Sequence, residues 1–319
     1  MKSKALKRRK VMTSKTLKHR KIQIEQLQLF TMALPIIIAL IIFCYLPMFG
    51  IVIAFKDFKI NKGILGSSWV GLKNFAFFFQ STDCWRVVRN TLLYNTAFII
   101  LNTFFSVSFA IALSNMRRKG LLKFYQSAMF LPYFLSWVIV SFMALAFLNY
   151  NNGIFNSIIE KLGGEPVSWY NTPKYWPFIL IFFNVWKGAG YNSLIYYSSI
   201  IGIDSSIYES AEIDGCTALK KIYYITLPLL RPVMITLILL SIGNIFRADF
   251  GLFYQLPLNS GTLINVTDVV DTYIYRTFRV TGNAGISSAV GLCQSVIGLI
   301  LVSLSNTVAN KIEEGSGIF

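Results

Sequence analysis

Ile36-Ile37-Ile38-Ala39-Leu40-Ile41-Ile42-Phe43 is apolar through more than two helical turns. At 3.6 residues per turn, eight consecutive apolar side chains point in every direction around the helix axis. A helix on the surface of a water-soluble domain keeps one polar face, so an element apolar all round belongs inside a large core or inside lipid. Working outward, five further stretches reach the length of about 20 residues that a helix needs to cross a bilayer core. The six lie near residues 30–55, 91–113, 124–148, 175–199, 232–254 and 286–310. They predict an all-α integral membrane protein of about six spans, with one transmembrane unit over 30–310.

Composition supports this reading. The chain has 319 residues with 30 Lys+Arg against 14 Asp+Glu, a formal charge of +16, yet 55% of its residues are hydrophobic and only 14% are charged. A soluble domain carries about 25% charged residues. A basic balance ordinarily suggests nucleic acid, but a mean hydropathy of +0.56 leaves too little polar surface for that partner. Cys44, Cys84, Cys216 and Cys293 are too widely spaced for a CxxC pair, and His19 is the one histidine. No metal site is therefore expected, and most Ser/His, Cys/His and His-metal chemistry is excluded.

The charge is unevenly placed. Residues 1–29 carry ten Lys/Arg and one acid, Glu25, ahead of the first span. That span is too long for a signal-peptide core and no small-residue cleavage pattern follows it, so it is expected to remain uncleaved. With the N-terminus inside, 18 basic residues fall on the cytoplasmic side and ten outside. This asymmetry places both the basic 1–29 segment and the 311–319 tail in the cytoplasm. In the first external segment, Phe77-Phe78-Phe79 beside Lys and Arg suits either a short interfacial helix or packing against the bundle.

Between the fourth and fifth spans, the 200–231 loop reads Ile203-Asp204-Ser205-Ser206-Ile207-Tyr208-Glu209-Ser210-Ala211-Glu212-Ile213-Asp214-Gly215 and continues to Leu227-Pro228. Ser206 with Glu209 three residues later fits a capping box, and Gly215 is placed to end the helix. A second helix is supported by Leu219, Ile222, Tyr223 and Thr226 at i, i+3, i+4 and i+7, with Pro228 and Pro232 bending the chain into the fifth span. Two short helices held at an angle make a rigid knob that a soluble partner can move as a unit. An ordinary solvated loop is the alternative.

The same residues resemble the EAA motif of type I ABC importer permeases. Glu209-Ser210-Ala211, three residues, Gly215, nine residues and Ile225-Thr226-Leu227-Pro228 reproduce its spacing, with Ser210 in place of one alanine. Trp69-Val70-Gly71-Leu72-Lys73-Asn74-Phe75 and Asn90-Thr91-Leu92 resemble carbohydrate permeases of the maltose-permease class. Ala248-Asp249-Phe250-Gly251-Leu252-Phe253-Tyr254 with Asp271-Thr272-Tyr273-Ile274-Tyr275-Arg276 is similar to a branch importing oligosaccharides derived from polysaccharides, pectic and alginate types included. The resemblance covers residues 30–310. It implies one half of a transmembrane pathway beside a second, usually different, homologous permease subunit. It also implies two ATPase subunits on the cytoplasmic side and an extracellular solute-binding protein, in a bacterial cytoplasmic membrane. Glu209 and Asp214 would contact an ATPase, while Ser210, Ala211 and Gly215 would permit close approach. ATP and Mg²⁺ would sit in the partner ATPases, because this chain has no GxxxxGK[ST] loop for nucleotide phosphates; it is expected to bind no cofactor and to be no enzyme.

Polar residues within spans are costly and face a partner helix or an aqueous cavity. Asn95, Asn102, Asn184, Lys187, Asn192, Asn244, Arg247, Asp249 and Gln294 are the candidates. Trp186-Lys187 with Tyr191-Asn192 offers aromatic faces and polar groups for a sugar on neighbouring turns, and Lys187 or Arg247 is placed to meet the carboxylate of an acidic saccharide. Interhelical hydrogen bonding is the competing role. Other solutes of ABC importers remain open, as does a secondary transporter, although only Asp249 offers an intramembrane acid for ion coupling. A membrane enzyme built on Glu209, Glu212 and Asp214 would have a weak ligand set without His.

Overall fold

The apolar run around Ile36 forms helix α1 (Gln28–Phe55), whose outer surface is exposed along nearly its whole length. The computed structural model describes residues 28–312, so most of the 1–29 segment and of the 311–319 tail lies outside the described residues. Pro47 cannot donate to the carbonyl four residues back, and the helix widens to a π-turn at Ile41–Tyr45, where the Leu46 amide bonds to the Ile41 carbonyl. A short hairpin follows, β1 (Lys56–Asp57) against β2 (Ser68–Trp69), antiparallel with Lys56 opposite Trp69.

Helix α2 (Lys73–Gln80) carries the Phe77-Phe78-Phe79 run and packs one of its three rings against the bundle. Phe78 is buried against Tyr273, while Phe77 and Phe79 stay exposed. Helix α3 (Thr82–Ser114) starts nine residues before the expected 91, because Ser81 caps it by accepting from the Cys84 amide. At 33 residues it exceeds what a bilayer core requires.

The expected third span, 124–148, is two helices. Helix α4 (Lys119–Phe134) and helix α5 (Trp137–Leu148) meet at 98°. Pro132 near the end of α4 and Ser136, whose hydroxyl accepts from the Ile139 amide, stop one helix and start the next. After helix α6 (Ile154–Lys161), helix α7 (Trp176–Ile201) packs along α3 for most of its length. At Gly190 a β-carbon would collide with the Met129 carbonyl, so glycine permits the close crossing of α4 and α7.

Helix α8 (Ser205–Ile213) is the predicted first helix of the loop. The predicted second helix is no separate element: α9 (Ala218–Gly243) runs without interruption from the loop into the fifth span. A π-turn at Ile222–Thr226 precedes Pro228 and absorbs its missing donor, so the prolines do not end the helix. The fifth span also stops early, at Gly243 instead of 254, and residues 244–249 form a break before helix α10 (Phe250–Gln255). Helix α11 (Val270–Arg279) and helix α12 (Ala284–Ile312) complete the order.

Among the described residues, α1, α3, α9 and α12 are long and apolar enough to cross a membrane singly, and the bent α4–α5 pair makes a fifth candidate. Helix α7 has the length, 26 residues, but its polar residues keep it below the same threshold. Three apolar clusters hold the bundle. The largest joins Tyr94 and Phe98 of α3, Val140 of α5, Trp176 and Leu180 of α7 and Leu252 of α10. A second gathers Phe78, Tyr273 and Val290; the third, Val107, Tyr196 and Leu230, lies where α3, α7 and α9 meet.

Candidate functional site

A helix places residues four apart on one face, and Asn184, Gly188 and Asn192 form such a row on α7. The row faces α3. The Asn102 amide donates to the Asn184 side-chain oxygen at 2.8 Å, and glycine at 188 leaves room for Asn102, whose oxygen would lie 3.1 Å from a β-carbon there. These amides line a cavity of about 430 Å³, closed by Asn95 and Ser106 of α3, Ser241 near the end of α9, and Asn244, Arg247 and Asp249 of the break. This volume falls within the range of small-ligand pockets. The Asn102 side-chain oxygen is buried and has no hydrogen-bond partner. An orphaned acceptor of this kind suits a donor from outside the protein, such as a hydroxyl group or water.

The break that supplies the far wall is tied in place by amides. Asn95 donates to the carbonyls of Ile245 at 2.7 Å and Arg247 at 3.2 Å, and Gln294 donates to the Phe246 carbonyl at 2.7 Å. The carbonyls released where α9 ends thus find partners on α3 and α12, the interhelical role foreseen for such residues. Asp249 caps α10, one oxygen accepting from the Leu252 amide and the other from the Trp137 indole at 2.7 Å.

The predicted residues separate into two groups. Asn184, Asn192, Asn244, Arg247 and Asp249 converge on the cavity; Trp186, Lys187 and Tyr191 do not line it. Trp186 faces an apolar hollow with Phe147, Phe182 and Phe183. Tyr191 stacks on Tyr133, ring centroids 4.1 Å apart. The Lys187 ammonium donates to the carbonyls of Leu135 at 2.6 Å, Tyr133 at 2.7 Å and Pro132 at 3.3 Å. All three of its protons are engaged, so Lys187 fastens the α4–α5 bend and has no donor left for a substrate carboxylate. The physical reason is partly angular: from the centre of the 184–188–192 row, Trp186 lies about 160° around α7, Lys187 about 100° and Tyr191 about 60°, and the last two are taken up by the end of α4 at Pro132 to Leu135. The sequence signal for Lys187 was the Pro132 to Ser136 break, whose exposed carbonyls demand a donor.

The second candidate region is α8. Its N-cap is Asp204, whose carboxylate accepts from the Ser206 amide at 2.9 Å, in place of the expected box of Ser206 and Glu209. The Ser206 amide, and after it the Ser206 hydroxyl, hold the Asp204 carboxyl below its ordinary range. At the other end Gly215, at φ +72°, closes a Schellman motif: its amide bonds to the Glu212 carbonyl and the Cys216 amide to the Ala211 carbonyl. Lys221 of α9 bonds Glu212 at 2.5 Å, and this contact lowers the Glu212 carboxyl below its ordinary value. The Tyr208 and Thr226 hydroxyls meet at 3.0 Å. Ser210 bonds back to the Ser206 carbonyl, and Glu209 and Asp214 are exposed. Ile213 is 88% exposed and Leu219 79% exposed, with Tyr223 and Tyr224 beside them in the open. These exposed apolar side chains, one on α8 and three on the first turns of α9, are absent from a reading of the loop that rests on its charges and small residues.

Residues 102–313 match the family model described as "Binding-protein-dependent transport system inner membrane component". The chain is 37% identical over 295 residues to the polygalacturonan/rhamnogalacturonan transport system permease protein YteP of Bacillus subtilis (strain 168), covering 92% of this chain and 91% of that one. It is 32% identical to protein LplB of the same organism, with 91% of each chain covered. A solved structure of a bacterial alginate ABC transporter, in complex with alginate pentasaccharide-bound periplasmic protein, contains a chain that matches with a TM-score of 0.83 and 30% identity, covering 92% of this chain and 97% of that one.

Proposed function

Because the chain belongs to the family of binding-protein-dependent transport system inner membrane components, we propose that it forms one half of the membrane pathway of an ATP-driven importer whose cargo is oligosaccharides derived from polysaccharides. It is a multi-pass membrane permease of the ABC carbohydrate importer class. Its partners in this reading are a second, homologous permease subunit, two ATPases holding ATP and Mg²⁺, and an extracellular solute-binding protein. The named substrates of relatives, polygalacturonan, rhamnogalacturonan and alginate, support the cargo class. The excess of basic residues in the 1–29 and loop segments supports cytoplasmic termini in a bacterial cell membrane.

The observation that carries the mechanism is that a single helix joins the knob to the cavity. Helix α9 begins beside α8, is bonded to it through Lys221 and Thr226, and has Ser241 of its last turn and its C-cap Asn244 at the cavity wall. Its 26 residues span about 39 Å at 1.5 Å per residue. A packed helix transmits displacement as a unit. Closure of the ATPases around ATP would pull α8, α9 would carry that movement to the break at 244–249, and the cavity would open to the other side. Glu209 and Asp214 supply exposed polar contacts to the ATPase, Ile213 and Leu219 the apolar ones, and Ser210, Ala211 and Gly215 the close backbone approach. The exposed length of α1 supports a second permease subunit as its cover.

Co-purification tests the reading. Wild type should retain the ATPase subunits, and Glu209→Lys combined with Gly215→Pro should lose them. Retention by the double variant would remove α8 as the docking element.

A further inference from the structure

We infer that Arg247 reads a carboxylate on the transported saccharide, making it the residue that sets a preference for acidic over neutral cargo; this rests on the carbohydrate-importer reading above. Arg247 lies in the break after α9 and lines the amide-rich cavity. Its guanidinium makes no hydrogen bond and no ion pair among the described residues, so its planar set of donors is available to a ligand.

The other charged groups nearby are differently employed. Lys187 spends its three protons on the carbonyls of the α4–α5 bend. Asp249, within Coulombic reach of Lys187, is held by the Trp137 indole and the Leu252 amide. Asp271 lies within Coulombic reach of Arg247, but one of its oxygens accepts from the Ala248 amide at 2.8 Å and from Gln294 at 3.0 Å, fixing it in the wall behind the break. Neither carboxylate forms an ion pair with Arg247.

A cation at membrane depth is costly unless it faces water or a partner of opposite charge, and a guanidinium binds a carboxylate through two parallel hydrogen bonds. Beside it the unpaired Asn102 oxygen and the Asn184 and Asn192 amides supply neutral groups suited to hydroxyls. The cavity therefore carries one fork for a carboxylate and several amides for a sugar ring, which is the functional-group set of a uronate unit.

The test uses the complete importer, with its own second permease, ATPases and binding protein, in proteoliposomes. Uptake of trigalacturonate is compared with uptake of its methyl ester, which keeps the rings and hydroxyls, removes the charge and adds one methyl group per unit. Wild type should prefer the acid, and Arg247→Gln should lower the acid-over-ester rate ratio about tenfold or more, the scale of lost charge-assisted hydrogen bonds. Arg247→Lys, which keeps the charge without the fork, should give an intermediate ratio. An unchanged ratio in Arg247→Gln, whether both rates fall together or neither falls, overturns the assignment. Wild-type importer that takes up neither compound, while its ATPase responds to the binding protein, instead overturns a galacturonate cargo and this inference with it, leaving the carbohydrate-importer class standing.

Discussion

The cavity and the α8 knob lie at opposite ends of one helix and differ in how much of their chemistry is completed within the chain. Around the cavity, Asn95, Gln294 and Lys187 saturate the carbonyls of two helix breaks, and Asp249 is held by an indole and an amide. Among the described residues, Arg247, the Asn102 oxygen and the Asn192 amide are groups there that keep open valences. The knob is closed in its backbone, through the Asp204 cap and the Gly215 turn, yet leaves Ile213, Leu219, Tyr223 and Tyr224 in the open. One region is rigid with a few polar openings that suit a transient, hydroxylated ligand. The other is rigid with an apolar rim that suits a protein surface. Substitutions should therefore damage folding when they strike the cavity supports and assembly when they strike the knob.

Lys187→Met gives the largest expected effect. It leaves three carbonyls of the α4–α5 bend without their charged donor, at roughly 3 kcal/mol or more if each loses a charge-assisted bond. The measurement is the midpoint of thermal unfolding of the detergent-solubilised importer. A midpoint within a degree of wild type would show that the bend is held by packing alone.

Ile213→Asp should leave that midpoint unchanged and weaken retention of the ATPase by about 30-fold, as for loss of a buried interface anchor worth about 2 kcal/mol. Affinity of detergent-purified permease for the isolated ATPase reads it out. Equal damage to folding and docking would erase the distinction between the two regions.

Gly215→Ala places a β-carbon at φ +72°, a conformation that costs an ordinary residue about 1 kcal/mol. Its expected result is a several-fold loss of ATPase affinity with normal membrane insertion. Gly215→Asn, which tolerates the left-handed region better, should recover part of that loss.

The smallest effect concerns pH. Glu212 titrates below its ordinary value because Lys221 stabilises the carboxylate, so the contact is fully present above the ordinary glutamate range and disappears as pH falls through the lowered value. A spin label on α8 should gain mobility as pH drops below about 4, where a free glutamate titrates. Glu212→Gln should show the higher mobility at neutral pH and no such transition.

Much of this was legible in the residues. Ile36 to Phe43 fixes a lipid-facing helix, and Gly215 with Leu227-Pro228 places the knob and the helix after it. Asn184 and Asn192, four-residue multiples apart, share a face whatever the bundle does. Other features were misread for identifiable reasons. Trp186 is adjacent to the amide row in sequence but points to the far side of α7, while Lys187 and Tyr191 flank the row and are taken up by the end of α4, so proximity along the chain did not become a shared site. Asp204 outcompeted Ser206 as cap because its carboxylate sits at the residue whose backbone turns extended just before the helix. The continuity of α9 across Pro228 depended on a π-turn, a backbone adjustment that leaves no hydrophobic period to detect.

The sequence by itself determined the solvent, the helical class and the short α8 helix of the 200–231 loop, since all three follow from local quantities: side-chain hydropathy, helical period and turn chemistry. Tertiary structure alone decided which polar groups remain available. Lys187 and Arg247 are equivalent as isolated cations within apolar stretches, but the 98° bend between α4 and α5 turns three carbonyls toward Lys187, and among the described residues no such set bonds Arg247. A hydrogen-bonding valence is consumed or left open by whatever the fold brings to it, and that is set by the crossing of helices far apart in the chain.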